Sequence, residues 1–266
     1  MPASVGDRSL RLEAITCTFG TYTAVRDASL VCEDGEFVCV VGPTGCGKST
    51  MLNVAAGLIT PTSGSVTVFG KPLSGINEQA GYLFQSDSLM PWRTALENVT
   101  FGLQLRGVDA AEAKRRGLEW LEKVGLAAHA HKYPQQLSGG MRKRASLAQM
   151  LIINPKIMLM DEPFGALDIQ TRHLMENELL QLWSSDRKLV LFITHDLEEA
   201  IALADRVVVM SAGPAAKPVG NFSIDLPRPR DVAEIRLTPA FLAYHSAIWN
   251  VMREEVTKSY EHVGRL

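Results

Sequence analysis

The fold is decided by the stretch Gly42-Pro43-Thr44-Gly45-Cys46-Gly47-Lys48-Ser49-Thr50. This stretch has the pattern G-x-x-x-x-G-K-[ST] and follows the apolar run Phe37–Val41, which is short and β-branched enough to form a buried strand. The segment after it, Met51–Gly57, is compatible with a helix. The order strand, glycine loop, helix is the context in which this pattern predicts a phosphate-binding loop.

Most residue types in this loop have a predicted chemical role. The three glycines allow backbone N–H groups to point inward at an anion, and the helix N-terminus behind them adds partial positive charge. Lys48 is expected to reach the β- and γ-phosphate oxygens of a nucleotide. Ser49 offers a hydroxyl to Mg²⁺, and Thr50 offers another near the α-phosphate. A glycine-rich turn that merely happens to carry a lysine is the alternative, and the flanking strand and helix disfavour it.

Composition limits the classes of function. The chain has 266 residues with 27 Lys and Arg against 29 Asp and Glu, so its net charge is −2 and no basic excess indicates nucleic acid as a partner. The cysteines show no C-x-x-C metal spacing, and the apolar runs around three of them predict buried free thiols in a reducing cytoplasm. They are Cys17, Cys32, Cys39 and Cys46.

Membrane segments are not expected. The first eight residues lack the apolar core of a signal peptide, and no stretch elsewhere approaches the ~18 uncharged apolar residues that a membrane span requires. We therefore expect a chain that does not enter the bilayer itself, so that any work at a membrane requires another protein as its anchor.

The remaining pattern predicts an α/β fold. Leu10–Phe19 and Ala28–Val31 alternate like strands of an antiparallel edge sheet. From about Thr94 to Asn154 the chain is helical, which predicts a helical insertion at about residues 86–155. Strands and helices then alternate, as in right-handed βαβ units of a parallel sheet. The predicted elements from the insertion onward are helices Ala95–Leu105, Ala110–Val124 and Gly139–Ile153, strand Lys156–Met160, helix Ile169–Ser184, strand Leu189–Ile193, helix Leu197–Ala204 and strand Arg206–Met210.

Two carboxylates end the strand Lys156–Met160. Asp161 and Glu162 are thereby predicted at the carboxyl edge of the sheet, where the glycine loop also opens. Asp161 is suited to hold Mg²⁺ through water beside Ser49. Glu162 is placed to act as general base or polarising carboxylate on a water at the γ-phosphate. The alternative, an acidic pair facing solvent, fits poorly with the buried strand before it.

At this point the chain resembles the ATP-binding subunit of an ABC transporter, with motifs in family order over residues 10–212. Leu137-Ser138-Gly139-Gly140-Met141 matches the family signature and opens a helix, Gln85 matches the Q-loop, and Ala166-Leu167-Asp168 matches the D-loop. His195 matches the switch histidine, and Phe19 stands where the family stacks an aromatic ring on adenine, with Tyr22 as the substitute. Met141 departs from the glutamine most often found there.

The resemblance implies a P-loop ATPase fold of the RecA type that works with ATP and Mg²⁺. It implies a head-to-tail dimer, identical or paired, in which Lys48 of one subunit and the Ser138–Met141 signature of the other meet the same γ-phosphate, with Asp168 at the interface. His195 would contact the γ-phosphate and the attacking water, and Gln85 would couple Mg²⁺ to movement of the helical insertion. The remaining implied partners are integral-membrane permease subunits and, indirectly, a periplasmic or extracellular substrate-binding protein.

The segment after Gln85 indicates a branch of that family. Leu89-Met90-Pro91-Trp92-Arg93, together with Leu226-Pro227-Arg228-Pro229-Arg230, resembles the nitrate/sulfonate/taurine-type importers, whose ATPase lies at the cytoplasmic face of the cell membrane. Leu89, Met90 and Trp92 are expected either to line a groove for a permease helix or to pack the insertion onto the sheet. An exporter subunit, or an importer of another solute class, is the alternative within the family.

Residues 213–266 form an extension that is expected to pack on this domain or on its dimer mate. Lys217–Leu226 predicts a further strand or two, and Thr238–Lys258 predicts an amphipathic helix. The predicted apolar members of that helix are Leu242, Ile248, Trp249 and Met252. The basic turn Pro227–Arg230 is interpreted as a solvated connector.

Overall fold

The computed structural model describes residues 9–86, 88–165 and 167–263. Residues 1–8, on which the absence of a signal peptide was judged, lie outside that range, as does Ala166 of the D-loop. The elements in chain order are β1 Leu10–Phe19, β2 Tyr22–Cys32, β3 Phe37–Val41, α1 Lys48–Ala55, β4 Ser63–Val68, β5 Lys71–Pro72, β6 Ala80–Leu83, α2 Ala95–Leu105, α3 Ala110–Lys123, α4 Gly139–Leu151, β7 Ile157–Asp161, α5 Ile169–Ser185, β8 Leu189–Ile193, α6 Leu197–Leu203, β9 Arg206–Met210, β10 Pro218–Ser223, α7 Val232–Ile235 and α8 Pro239–Val263.

The central sheet has six strands in the order β10-β9-β3-β8-β7-β6. The five strands from β9 to β6 run parallel, and β10 pairs antiparallel with β9. Every residue of β3 is buried. Phe37, Cys39 and Val41 face one core, while Val38 and Val40 face another. Burial on both faces explains why the strands of this sheet are uninterrupted apolar runs, and it confirms the predicted α/β core.

A second, antiparallel sheet covers one face of the first. Its order is β2-β1-β4-β5, which confirms the predicted antiparallel edge subdomain. Leu12 and Val66 from this sheet share one apolar core with Val40 of β3 and Leu52 of α1. The helix that follows the glycine loop is therefore held between the two sheets.

The helical insertion comprises α2, α3 and α4, which lie between β6 and β7. It has an apolar core of its own, built around Leu96, Val99, Leu121 and Ala148. Helix α2 has the predicted bounds because Thr94 and Glu97 form a reciprocal cap. The Thr94 backbone N–H donates to Glu97 Oε2 at 2.7 Å, and the Glu97 N–H donates to Thr94 Oγ1 at 3.3 Å.

The C-terminal residues pack on the same chain. Phe241, Ile248 and Met252 of α8 are buried in the core that also contains Trp183 and Ala204. The other two predicted apolar members of this helix, Leu242 and Trp249, do not join that core and are 56% and 40% exposed. The helix begins one residue after the predicted start, since the hydroxyl of Thr238 caps it by accepting from the N–H of Phe241 at 3.3 Å.

The basic turn is not the solvated connector that its composition predicted. Arg228 lies with its guanidinium carbon 4.4 Å from the ring centre of Trp183 and pairs with Asp205 at 2.7 Å. Arg230 is only 8% exposed. Both arginines reach the carboxyl end of α6, where backbone carbonyls lack partners within the helix, and this end attracts cationic donors.

All four cysteines are buried free thiols, which confirms the prediction for Cys17, Cys32 and Cys39 and extends it to Cys46 in the glycine loop. Burial raises the pKa of each, so the thiols stay protonated at neutral pH. Among the described residues no helix combines the length and the apolar character that crossing a membrane demands.

Candidate active site

The ends of three neighbouring strands bring the candidate residues together. Strand β8 lies between β3 and β7, so the segments that follow these three strands meet at one edge of the sheet. The glycine loop follows β3, and His195 follows β8. Asp161 is the last residue of β7, and Glu162 comes directly after it. Crevices at the carboxyl ends of parallel strands are where open α/β sheets bind ligands.

The glycine loop is shaped by residues that a side chain would disturb. Gly47 has a φ of 92°, and a Cβ atom there would lie 3.0 Å from Cγ2 of Val25. A Cβ atom at Gly42 would lie 2.9 Å from the carbonyl oxygen of Met210. Only glycine meets both demands, since it alone combines a left-handed φ with this close packing at little cost.

Lys48 is the first residue of α1 and is 6% exposed. Its Nζ donates to the carbonyl oxygens of Gly42 and Pro43 at 2.9 and 3.0 Å. The loop thus curls around the ammonium group, which satisfies the buried charge. The arrangement presents a cation at the helix N-terminus, beside the backbone of the loop, as phosphate oxygens require.

Ser49 and Asp161 form the candidate metal site. The hydroxyl of Ser49 donates to Oδ1 of Asp161 at 3.1 Å, so two oxygen ligands from different elements lie side by side. Burial raises the pKa of Asp161, whereas the Ser49 hydrogen bond and the charges of Lys48 and Lys143 oppose that effect. Hard oxygen donors of this kind fit Mg²⁺.

Glu162 connects the site across three segments. Its Oε2 accepts from the side-chain amide of Gln85 at 3.2 Å and lies 3.0 Å from Nδ1 of His195. Its backbone has a φ of 42°, which is unfavourable for a non-glycine residue, and its N–H donates to the carbonyl of Ile193 at 2.9 Å. Backbone strain of this type is concentrated at functional sites.

Lys48, Ser49, Gln85, Glu162 and His195 line one cleft of about 540 Å³, whereas Asp161 lies behind its wall, within hydrogen-bond distance of Ser49. The predicted adenine-stacking ring, Phe19, and its substitute, Tyr22, both lie there and are about half exposed. The lining residues are Phe19, Tyr22, Ala24, Thr44, Gly45, Gly47, Lys48, Ser49, Thr50, Gln85, Glu162 and His195. The other loop residues, Gly42, Pro43 and Cys46, lie behind this surface, and Cys46 is 1% exposed.

The signature residues and the described D-loop residues do not line this cleft. Ser138 caps α4, where its Oγ accepts from the N–H of Met141 at 3.3 Å, and Gly139 and Gly140 form the first turn of that helix. Asp168 caps α5 by accepting from the N–H of Thr171 at 3.0 Å. A single chain therefore assembles eleven of the predicted residues in the cleft, counting Tyr22 as the substitute for Phe19, and leaves Ser138, Gly139, Gly140, Met141 and Asp168 outside it.

Sequence reasoning missed two residues near the site. Ala24 lines the cleft but has no functional group that could have drawn attention. Lys143 is 4% exposed and donates from Nζ to the carbonyls of Phe84 and Gln85, both at 2.8 Å. One signal was present in the sequence: Lys143 lies four and seven residues before Leu147 and Met150, on the buried face of α4.

Fold and cleft together define a class of protein. A P-loop nucleoside triphosphatase has three characteristic features that are all present here: a lysine at the tip of a glycine loop, a serine–aspartate pair, and a glutamate at the end of a neighbouring strand. Residues 25–165 match the family described as ABC transporter, which covers more than half of the chain. The chain belongs to this family, and it is an ATP-binding cassette ATPase.

Individual relatives agree with this assignment. The chain is similar to the taurine import ATP-binding protein TauB of Yersinia pestis, with 46% identity over 77% of this chain and 80% of the relative. It is also similar to the nitrate import ATP-binding protein NrtD of Synechocystis, with 41% identity over 92% of this chain and 94% of the relative. These similarities support the nitrate/sulfonate/taurine-type branch.

A solved structure shows the same fold. The dimeric structure of a post-hydrolysis state of the ATP-binding cassette MJ0796, bound to ADP and Pi, superposes on this chain with a TM-score of 0.73. It is 31% identical in sequence, and the match covers 82% of this chain and all of the other. The sequence-based fold class, a P-loop core with an antiparallel edge subdomain and a helical insertion, is thereby confirmed.

Proposed function

We propose that this chain is the ATP-hydrolysing subunit of an importer that moves a small solute, such as nitrate, sulfonate or taurine, through a separate membrane permease. One observation carries the ATPase part of the proposal: Glu162 Oε2 contacts both Gln85 and His195 in the cleft formed by the glycine loop. The two relatives named for nitrate and taurine import support the choice of solute class.

The positions of the cleft residues support the following roles in this proposal. Lys48 and the backbone of residues 42–50 bind the β- and γ-phosphates, and Phe19 stacks on the adenine ring. Ser49, Asp161 and Gln85 hold Mg²⁺, which neutralises charge on the phosphate oxygens when it is bound. Glu162 accepts a proton from the attacking water, and His195 orients that water and the γ-phosphate.

The active assembly in this proposal is a head-to-tail dimer. The signature residues Ser138 to Met141, and Asp168, lie outside the cleft of their own chain, so they are available to the nucleotide of a second subunit. Two helix N-termini, α1 from one subunit and α4 from the other, would then face the same triphosphate. Because the second helix tip binds only while the γ-phosphate is present, ATP stabilises the closed dimer and hydrolysis releases it.

The permease contact is proposed at the segment after Gln85. Leu89 is 8% exposed and packs inside the helical insertion, whereas Trp92 is 73% exposed. Of the two roles considered for these residues, packing suits Leu89 and contact with a permease helix suits Trp92. In this assembly the ATPase lies at the cytoplasmic face of the cell membrane, and a periplasmic or extracellular binding protein delivers the solute from the other side.

The proposal also divides the chain. Residues 1–212 act as the ATP-binding domain, with the helical insertion at about 86–155 transmitting movement to the permease. Residues 213–266 act as an extension that contributes to the core behind α6, since Ile224, Phe241 and Ile248 are buried there.

Two measurements test this function. The purified chain should hydrolyse ATP in a Mg²⁺-dependent manner, and affinity purification from membranes should recover a permease encoded with a solute-binding protein. ATP binding without turnover would refute the assigned role of Glu162. Recovery of a permease that exports its substrate would refute uptake and leave the ATPase assignment intact.

A further inference from the structure

Lys143 is a buried lysine in the middle of the helical insertion. It is 4% exposed and shares the inner face of α4 with Leu147 and Met150. An ammonium group removed from water in this way is costly unless hydrogen-bond acceptors surround it. Two acceptors of Lys143 among the described residues are the carbonyl oxygens of Phe84 and Gln85, both at 2.8 Å from Nζ.

These two contacts cross from one subdomain to another. Lys143 belongs to the helix that Ser138 opens, whereas Phe84 and Gln85 directly follow β6 of the central sheet. Two consecutive carbonyls held by one ammonium fix the direction of the backbone between them. The side chain of Gln85 extends from this fixed backbone, and its Nε2 donates to Glu162 Oε2 at 3.2 Å.

A basic residue that only stabilises the insertion makes a different kind of contact. Arg116 of α3 donates to the carbonyl of Ile152 at 2.8 Å, and both residues belong to the insertion. Lys143 differs because its acceptors are the backbone of the residue that contacts Glu162.

We propose that Lys143 is a positioning residue for Gln85, and that through it the helix opened by Ser138 and the loop carrying Gln85 move as one body. The proposal rests on the ATPase function proposed above. In the dimer, Ser138 faces the partner's nucleotide and Gln85 faces the nucleotide of its own chain. One lysine therefore links the two nucleotide sites mechanically.

A double-mutant cycle tests this role. Lys143→Met removes the donors and keeps the length of the side chain, and it is introduced into the wild-type chain and into Gln85→Ala. In the wild-type chain, we expect Lys143→Met to lower kcat for ATP hydrolysis about tenfold or more and to change KM by less than about twofold. In Gln85→Ala, we expect the same substitution to change kcat by less than about twofold. Arg116→Met, the matched control, should change kcat by the same factor in both backgrounds.

Equal losses of kcat from Lys143→Met in both backgrounds would overturn the proposal, because a purely structural role is additive. A second measurement does not depend on turnover. Amide hydrogen exchange in peptides spanning residues 80–90 should become about tenfold faster in Lys143→Met than in the wild-type chain, and unchanged exchange would also overturn the proposal. Absence of ATP hydrolysis by the wild-type chain would instead refute the proposed function, and the exchange experiment would still decide the role of Lys143.

Discussion

Glu162 and His195 follow different strands, yet Oε2 of the carboxylate lies 3.0 Å from Nδ1 of the imidazole. The contact exists because β7 and β8 are neighbours in the sheet and because the Glu162 backbone adopts a φ of 42°. The same oxygen accepts from Gln85. A carboxylate, an imidazole and an amide therefore meet at one point of the cleft.

Glu162→Gln should nearly abolish turnover while leaving ATP binding intact. The amide keeps the shape of the side chain but cannot accept a proton from water, and loss of a general base costs about 10²–10⁴ in rate. ATPase assays measure the rate, and size-exclusion chromatography with ATP should show a stable dimer. Glu254→Gln, at an exposed position of α8, serves as the control and should retain activity. Wild-type hydrolysis by Glu162→Gln would remove this residue from the proposed role.

Lys48→Ala should weaken nucleotide binding itself. The substitution removes the ammonium that lies at the tip of α1 and leaves the carbonyls of Gly42 and Pro43 without their donor. We expect the Kd of a fluorescent ATP analogue to rise about tenfold or more, since a charge-assisted contact is worth about 1.5–3 kcal/mol. Lys71→Ala, on the exposed strand β5, is the matched control. An unchanged Kd in Lys48→Ala would contradict the phosphate contact.

Arg230→Met should destabilise the fold rather than the chemistry. The guanidinium donates to five carbonyl oxygens and retains its charge at neutral pH, although burial lowers its pKa to about 10. Leaving these acceptors without a donor should lower the free energy of unfolding by about 3–5 kcal/mol in urea titrations. Arg253→Met, at an exposed position of α8, should change it by less than about 0.5 kcal/mol. Equal changes in the free energy of unfolding for the two variants would show that the hydrogen bonds of Arg230 do not stabilise the fold.

Stability should depend on pH through Glu176 and Glu199. Both carboxyls are buried, burial raises the pKa of each above its usual range, and Glu199 is the more strongly affected. The folded chain then binds more protons than the unfolded chain, so the free energy of unfolding falls as the pH rises above about 4.5 toward 8. In the double variant Glu176→Gln/Glu199→Gln, the free energy of unfolding should fall less steeply with pH. Its total fall across this range should be smaller than that of the wild-type chain by on the order of 3 kcal/mol.

The pH profile has a clear contrary outcome. Parallel profiles for the wild-type chain and the double variant would show that neither carboxyl changes its protonation on folding. Glu198→Gln is the matched control, because Glu198 is 53% exposed on the same helix as Glu199. It should leave the slope of the wild-type profile unchanged.

The sequence predicted the elements whose pattern is local and complete. Strands β8 and β9 and helix α2 have the predicted bounds, because apolar runs, alternation and caps all act within a few residues. The strand ends then brought Lys48, Asp161 and Glu162 to one edge, as the parallel topology requires. The roles proposed for these residues remain to be tested by the variants above.

What the sequence could not predict depends on distant parts of the chain. Arg230 is buried because α6, more than twenty residues earlier, ends in carbonyls that need donors. Leu242 and Trp249 are exposed because only part of the apolar surface of α8 faces the core. The left-handed φ of Glu162 depends on its hydrogen bond to Ile193, a residue of another strand.

The hydrogen bonds of Arg230 bear on how this protein can be shortened. Helix α6 starts beside His195 and ends in carbonyls that are satisfied from the extension. A truncation after residue 212 would remove both arginines that donate to the carboxyl end of that helix, Arg228 and Arg230, and would uncover the apolar surface beneath Phe241. A shortened variant that is meant to keep His195 in its observed position should therefore retain residues 213–266.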